Sequence, residues 1–299
     1  MYLGGIEAGG KNFICTVGDG RGNIFAREKI ATRDPRATIN HVTQFFKNFK
    51  IAAVGIGSFG SIDLNPESPA YGSITATPKL AWINYPLYQE IRHALALPVG
   101  MTTAANAAAL GELTKGAAKG LDGCLYITVG NGIDAGLITD RHFLYGLTHP
   151  EMGHVLLRRH PKDKFTGICP YHQDCLEGLA SGPAIEARWG MSTQELPTAH
   201  PAWKIEAEYL AQALMQYALI ISPKRIIIGG SVMEHGELFP LVRRRLQELL
   251  SGYIDLAELK EQIDNYVVPS ALGDQAAITG ALILARQTLE KKSMQGSEA

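Results

Sequence analysis

Two stretches of this chain repeat one pattern, and that repeat limits the possible folds more than any other feature. Leu3 to Val17 reads LGGIEAGGKNFICTV, and Leu125 to Ile138 reads LYITVGNGIDAGLI. Each is an apolar run, a glycine-rich turn carrying one acidic residue, and a second apolar run, which predicts a strand, a tight turn and a strand. An echo about 120 residues apart predicts two related domains. Further strands are expected at Ala52 to Ile56 and Arg225 to Ile228, the latter ending in Gly229-Gly230. Between them lie helical stretches. Ala104 to Ala118 is rich in Ala, Leu and Glu. Trp203 to Ile221 and Glu237 to Ser251 carry apolar residues at helical spacing, and Ala276 to Lys292 follows Gly273-Asp274. Strands alternating with helices give an α/β class. The break between domains is expected near residues 112 to 122, and Ser293 to Ala299 reads as a frayed tail.

Composition narrows the class further. Apolar residues make up 46% of the 299 and charged residues 19%, which excludes a disordered chain. A net charge of −1 offers no basic surplus for nucleic acid and no charge block for a membrane surface. No run approaches the roughly 18 to 20 apolar residues of a membrane helix. The first ten residues lack the charged n-region of a signal peptide, so a cytoplasmic protein is expected. The 32 glycines cluster between apolar runs, at Gly4-Gly5, Gly9-Gly10, Gly55 to Gly60, Gly130 to Gly136 and Gly229-Gly230. Such places at strand ends suit tight turns and close ligand approach.

Chemistry concentrates between His154 and Cys175. His154, Cys169, His172 and Cys175 form H-x14-C-x2-H-x2-C. Two thiolates and two imidazoles are a tetrahedral zinc set, and a full set implies a structural site, since a catalytic zinc keeps one position open. Gly167 and Pro170 let the loop turn sharply. The other two cysteines, Cys15 and Cys124, lie in apolar runs and are expected to be buried thiols without chemistry. Glu151 and Glu177 flank the cluster. They are either carboxylates converging on the hydroxyls of a polyol or two surface glutamates, and spacing does not choose between these.

Taken in order, GGIEAGG at 4–10, GIGSFG at 55–60, TATPK at 75–79, NAAALGE at 106–112, HPEMGH at 149–154, CPYHQDCLEGLASGPAIEARWG at 169–190 and IIIGGSVM at 226–233 resemble the bacterial fructokinases of the ROK family (repressors, open-reading-frame proteins and kinases). The resemblance runs to about residue 285. It implies a two-domain actin/hexokinase-like (ribonuclease H-like) fold with a zinc-bound loop. The expected ranges are 1–115 for the first domain, 116–286 for the second with the zinc and sugar segment, and 287–299 for a helix end and tail. It also implies a hexose, fructose in this branch, held in the interdomain cleft, ATP with Mg²⁺ over the two glycine-rich hairpins, and a homodimer. Matching positions assign zinc to His154, Cys169, His172 and Cys175, and the sugar to Asn106, Glu151, His154 and Glu177. The two ring nitrogens of His154 are distinct, so one can face zinc and the other a hydroxyl. Nucleotide positions match at Glu7, Gly9, Gly10, Lys11, Gly130, Gly132, Gly229 and Gly230. Glu7 fits this branch, which carries Glu rather than Asp there.

The departures from the family pattern all fall on the phosphate side. E-A-G-G-T-K becomes Glu7-Ala8-Gly9-Gly10-Lys11-Asn12. The D-x-N-A-A-A-L-G-E helix opening becomes Ala104-Ala105-Asn106, so Ala104 stands where the resemblance places the general base. G-T-G-I-G-A-G becomes Gly130-Asn131-Gly132-Ile133-Asp134-Ala135-Gly136, with a carboxylate added beside the expected triphosphate, and Ser231 replaces a third glycine. Loss of a general base costs roughly 10²- to 10⁴-fold, and an added carboxylate opposes charge neutralisation at the γ-phosphate. Lys11 offsets part of that charge. The expectation is a hexose-binding protein with phosphotransfer lost or severely impaired. The alternative is an active kinase with a substitute base. Asp63, in the loop after GIGSFG, is one candidate, although an aspartate there ordinarily serves a turn. A sugar-responsive repressor of the same family would carry an N-terminal helix-turn-helix, and the first hairpin here begins at residue 3.

Overall fold

The computed structural model describes residues 1–297. The chain opens with β1 (Tyr2–Ala8), β2 (Asn12–Gly18) and β3 (Ile24–Ala31), then α1 (Pro35–Lys47), β4 (Ile51–Ser58), α2 (Leu87–Leu95), β5 (Val99–Thr103) and α3 (Ala104–Lys115). It continues with β6 (Cys124–Val129), β7 (Ile133–Thr139), β8 (His142–Phe143), α4 (Leu176–Ala180), α5 (Gly182–Trp189), α6 (Ala202–Ile220) and β9 (Ile226–Gly229). The rest is α7 (Leu238–Leu250), α8 (Ala257–Lys260), α9 (Ile263–Tyr266), β10 (Val267–Pro269) and α10 (Ala276–Ser297).

The echo in the sequence is an echo in topology. The first sheet runs β3-β2-β1-β4-β5 and the second β8-β7-β6-β9-β10 when read in the same sense. In each, an antiparallel hairpin is followed by two strands added parallel to its first strand. Parallel additions need a crossover, and helices supply it. One compact unit comprises Met1–Lys119, Phe143–His149 and the chain from Asp274 on; the other comprises Gly120–His142 and Pro150–Gly273. These bounds differ from the ranges expected from the sequence. The chain after Asp274 belongs with the first unit because α10 packs on α3, β1 and β4. The expected frayed tail is also different. Helix α10 continues to Ser297, while Glu298 and Ala299 lie outside the described residues.

Local chemistry sets the element ends that matter below. Asp34 caps α1 by accepting the Ala37 N–H at 2.9 Å, with Pro35 in the first turn. Thr103 caps α3 by accepting the Asn106 N–H at 3.0 Å. In the first unit one sheet face is apolar, with Ile6, Phe13, Val54 and Ile56 buried beside Trp82. The other face is floored by glycines. A Cβ on Gly55 would strike the Ala281 carbonyl, and one on Gly57 would lie 2.8 Å from the Ala107 Cβ. Bare glycine lets α3 and α10 lie directly on the strands. In the second unit the core is built from β6, β7, β9 and α6, with Leu125, Ile127, Trp203, Leu210 and Ile228 fully buried.

Candidate functional site

The zinc-type cluster belongs to the second unit. His154 ends a single 3₁₀ turn, Met152–His154, whose N–H bonds back to Glu151 O at 3.0 Å. Cys169 and Gln173 pair across a knuckle, exchanging N–H···O bonds of 3.2 and 2.9 Å. Gln173 turns it with a left-handed φ of 56°. Gly167, at φ +91°, is required because a Cβ there would run into the Gln173 carbonyl. Cys175 then opens α4 as its N-cap residue. Behind the knuckle, the Arg159 guanidinium donates to the Phe165 and Thr166 carbonyls and pairs with Asp174 at 3.3 Å. Deeper still, buried Arg188 pairs with Asp163 at 3.2 Å, and Tyr209 donates to the same carboxylate at 2.6 Å.

The four donor atoms of His154, Cys169, His172 and Cys175 lie within 4.8 Å of one another. The His154 Nδ1 is 3.5 Å from Cys175 Sγ and 3.7 Å from Cys169 Sγ, and the His172 Nδ1 is 3.7 Å from Cys169 Sγ. Zn–S and Zn–N bonds of about 2.3 and 2.0 Å at the tetrahedral angle put sulfur and nitrogen roughly 3.6 Å apart. These three distances match the edges of a tetrahedral site, and the cluster could hold zinc. Nδ1 is the His154 atom turned to the thiols, which leaves Nε2 for another partner. Burial and the neighbouring Cys169 thiol push Cys175 up to about 11, so a bound cation has to displace a proton there.

Of the two flanking glutamates, one is drawn into the second hairpin. The Glu177 carboxylate, in the first turn of α4, accepts the Ile133 N–H at 2.8 Å. It also lies 2.6 Å from where a Cβ on Gly132 would be, so a side chain there would have to push the carboxylate aside. Glu151 is exposed. The other glycines that the resemblance assigns to the nucleotide in this unit lie at this hairpin and at the end of the neighbouring β9. Gly130 bonds Gly132 O at 2.9 Å and accepts from Gly182 N at 2.7 Å. A Cβ on Gly130 would face Ser231 Oγ at 3.5 Å, while Gly230, at φ +94°, passes against the Val129 backbone. Gly229 is bare because the Tyr126 ring stands over it. Asp134 projects from β7 and its carboxylate accepts the Ala135 N–H at 2.7 Å. Spacing could not reveal the Glu177–Ile133 bond, which joins residues 44 positions apart.

The first unit holds the other assigned residues. Its hairpin turns through Gly9, whose N–H bonds Asn12 O at 3.0 Å and which has no room for a Cβ against that oxygen. Thr32 fastens the turn from β3, donating to Gly9 O at 2.7 Å. A Cβ on Gly10 would meet the Lys79 side chain at 3.9 Å, so Lys79 is a cation at this turn that the sequence reading passed over. Lys11 is exposed and Asn12 begins β2. Ala104 is the first residue of α3, and no acidic residue stands in that helix's first turn. Asn106 is 2% exposed, and its side chain bonds the Tyr145 hydroxyl, which also meets Thr102 Oγ1 at 2.8 Å. Burial pushes the Tyr145 phenol up to about 12. Asp63 is not a free base. Its carboxylate accepts the Asn65 N–H at 3.0 Å and the Ser68 hydroxyl at 2.5 Å, which makes it the turn residue of its own loop.

Glu7 has a different character. It is largely buried on β1, and no hydrogen bond holds its carboxylate among the described residues. Burial raises it to about 7 against the opposing pull of Arg27, with Asp274 adding to the rise.

A duplicated α/β sheet with glycine-turned hairpins and a Cys₂His₂ cluster in the second unit defines the class of ROK sugar kinases, which have actin/hexokinase-like architecture. The ROK family model matches residues 3–288, and the chain belongs to that family. It is 50% identical over 294 residues to a putative fructokinase of Bacillus subtilis (strain 168), covering 98% of each chain. It is 40% identical over 290 residues to a fructokinase of Pediococcus pentosaceus, covering 97% of this chain and 99% of the other. Among solved structures, the ROK-family glucokinase of Streptomyces griseus in complex with glucose and AMPPNP has a TM-score of 0.76 and 25% identity, covering 96% of this chain and 100% of that one. The ROK hexokinase of Thermus thermophilus, at 23% identity, has a TM-score of 0.79 and covers 97% and 100%. Among the described residues no helix is long and apolar enough to cross a membrane.

Proposed function

We propose that this chain is a fructokinase-like ROK protein that binds a hexose, fructose first, and transfers phosphate from ATP to its 6-hydroxyl slowly at best. The observation that carries this is Ala104. The family's base is assigned to the first position of α3, and that turn holds no carboxylate. Alanine accepts neither a proton nor a hydrogen bond through its side chain. Asp134 supports the same reading, because it adds charge at a hairpin that the family uses for phosphate. The sugar side is intact by comparison, with Asn106, Glu151, His154 and Glu177 all present. His154 serves both roles through its two nitrogens, Nδ1 toward the metal cluster and Nε2 toward a hydroxyl. Zinc at the four Cys and His side chains would fix the loop that presents Glu177 and supply no step of the reaction. ATP with Mg²⁺, a homodimer and a cytoplasmic setting belong to the same proposal.

A coupled ADP-release assay with fructose, mannose and glucose tests it, beside calorimetry of the sugars. Turnover well under the roughly 1 to 100 s⁻¹ usual for kinases, with fructose heat still measurable, is the expected result. Turnover inside that range overturns the impairment.

A second reading is an active kinase with a substitute base. Asp63 is spent on its own turn, but the free and buried Glu7 carboxylate favours this reading.

A further inference from the structure

We infer that Glu7 is the general base for the phosphotransfer this chain performs, acting where Ala104 leaves no carboxylate. The inference rests on the second reading above.

Strand register supplies the geometry. β1 and β4 are parallel neighbours, and Glu7 stands opposite Gly57. Side chains at paired positions rise from the same sheet face, on strands roughly 4.8 Å apart. Gly57 has no side chain to interpose. Directly over it sits the start of α3, for a Cβ on Gly57 would lie 3.4 Å from the Ala104 Cα and 2.8 Å from the Ala107 Cβ. A single bare glycine therefore separates Glu7 from Ala104. Glu is one methylene longer than Asp, which suits a carboxylate that has to reach across a neighbouring strand.

The surroundings suit the task as well. An aspartate at 104 would put two carboxylates side by side, and only one could ionise freely. With alanine there, the first turn of α3 sets no second carboxylate beside Glu7. Its charged neighbours come from other elements. Arg27 on β3 and Asp274 ahead of α10 pair with each other at 3.5 Å. Lys29, opposite Ile14 and so on the same face, stands two strands away. α3 presents no acid in its first turn, β2 offers Ile14 and β4 offers Gly57. Burial outweighs the pull of Arg27, and the carboxyl titrates near 7. A base is most useful when it titrates near the working pH.

The step balances without further reagents. The Glu7 carboxylate takes the proton of the hexose hydroxyl as that oxygen bonds the γ-phosphorus of ATP. The bond from that phosphorus to the β,γ-bridging oxygen breaks, and its electron pair leaves with ADP. Glu7 then returns the proton to solvent.

The test measures ADP release from fructose and Mg-ATP across roughly pH 5.5 to 8.5 for the full chain, E7Q and A104D. Wild type is expected to turn over slowly, with kcat rising through a midpoint near 7. The resemblance counts Glu7 among the nucleotide positions; acting as base instead, it should cost the E7Q variant at least about tenfold in kcat and the midpoint with it, while KM for ATP changes far less than kcat. That split separates a base from a nucleotide contact. A104D should turn over faster, with its midpoint moved down into the ordinary carboxylate range. If E7Q does not fold, E7D replaces it and should keep the midpoint at a lower kcat. The inference is overturned by an E7Q enzyme as fast as wild type, by a wild-type profile with no step, or by no ADP release at any pH. In that last case fructose heat in the calorimeter leaves the slow hexose-binding reading standing, and its absence removes both.

Discussion

Glu7 and Glu206 are both buried carboxylates, and they bear on stability in the same direction. Glu206, on α6, is 1% exposed, and neither of its oxygens has a hydrogen-bond partner. Burial raises it well above the usual range, against the opposing pull of Arg188. A carboxyl raised in the folded state binds its proton more tightly folded than unfolded. Its contribution to stability is whole below the unfolded value and is lost as pH climbs through the folded one. For Glu7 the window runs from 4.5 to about 7. Its effect is at most about 3 kcal/mol. E7Q cannot ionise, so it should melt like wild type near pH 4.5 and above wild type at pH 8, read from thermal melts at both. E206Q should likewise gain on wild type as pH rises, because it removes a carboxyl whose ionisation is costly where it is buried. A wild-type advantage at high pH in either pair would mean that the carboxylate has a partner that binds its ionised form.

At the scale of elements, the hairpins and the metal loop show what pattern can and cannot reveal. Both hairpins were legible because alternating apolar runs and glycines are local signals, and they formed at Tyr2–Gly18 and Cys124–Thr139. The long helices were legible for the same reason. β3 was not, since its inward positions are mostly only half-buried and Arg27, Glu28 and Lys29 read as a solvated stretch. α4 and α5 were missed because glycine and proline break the helical pattern across CLEGLASGPAI, where Ser181 and Pro183 in fact restart a helix. In the site, the metal donors were legible from spacing alone, whereas Glu177 on the Ile133 N–H and Tyr145 on Asn106 join distant segments. The loop itself should depend on its cation. Metal analysis is expected to give one zinc per chain, and C169S should lose it and melt earlier. Because thiol protons must leave, affinity should fall as pH is lowered. A C169S chain that keeps full zinc would dissociate the cluster from metal binding. The hairpin should be equally exacting about Gly132. G132A sets a methyl against the Glu177 carboxylate, 2.6 Å from the Cβ position, so it should break the Ile133 bond and weaken fructose binding. Unchanged fructose affinity in G132A would detach Glu177 from the sugar.

For the whole molecule, duplication spreads the residues of the proposed function over both units. The two sheets share one strand order, and each places a glycine-turned hairpin at its first two strands. Lys11, Asn12 and Ala104 lie in one unit and Asp134 in the other. Residues acting on one transition state are not additive, since a base is of little use when the phosphate is misplaced. A104D alone should therefore recover only part of the roughly 10²- to 10⁴-fold that a base supplies. A104D together with K11T, N12K and D134G should recover more than the product of the separate gains, measured as kcat with fructose. Fructose affinity should change little across the series, because none of the four positions is assigned to the sugar. If the combined variant stays silent while fructose still binds, the lost element lies outside these four residues.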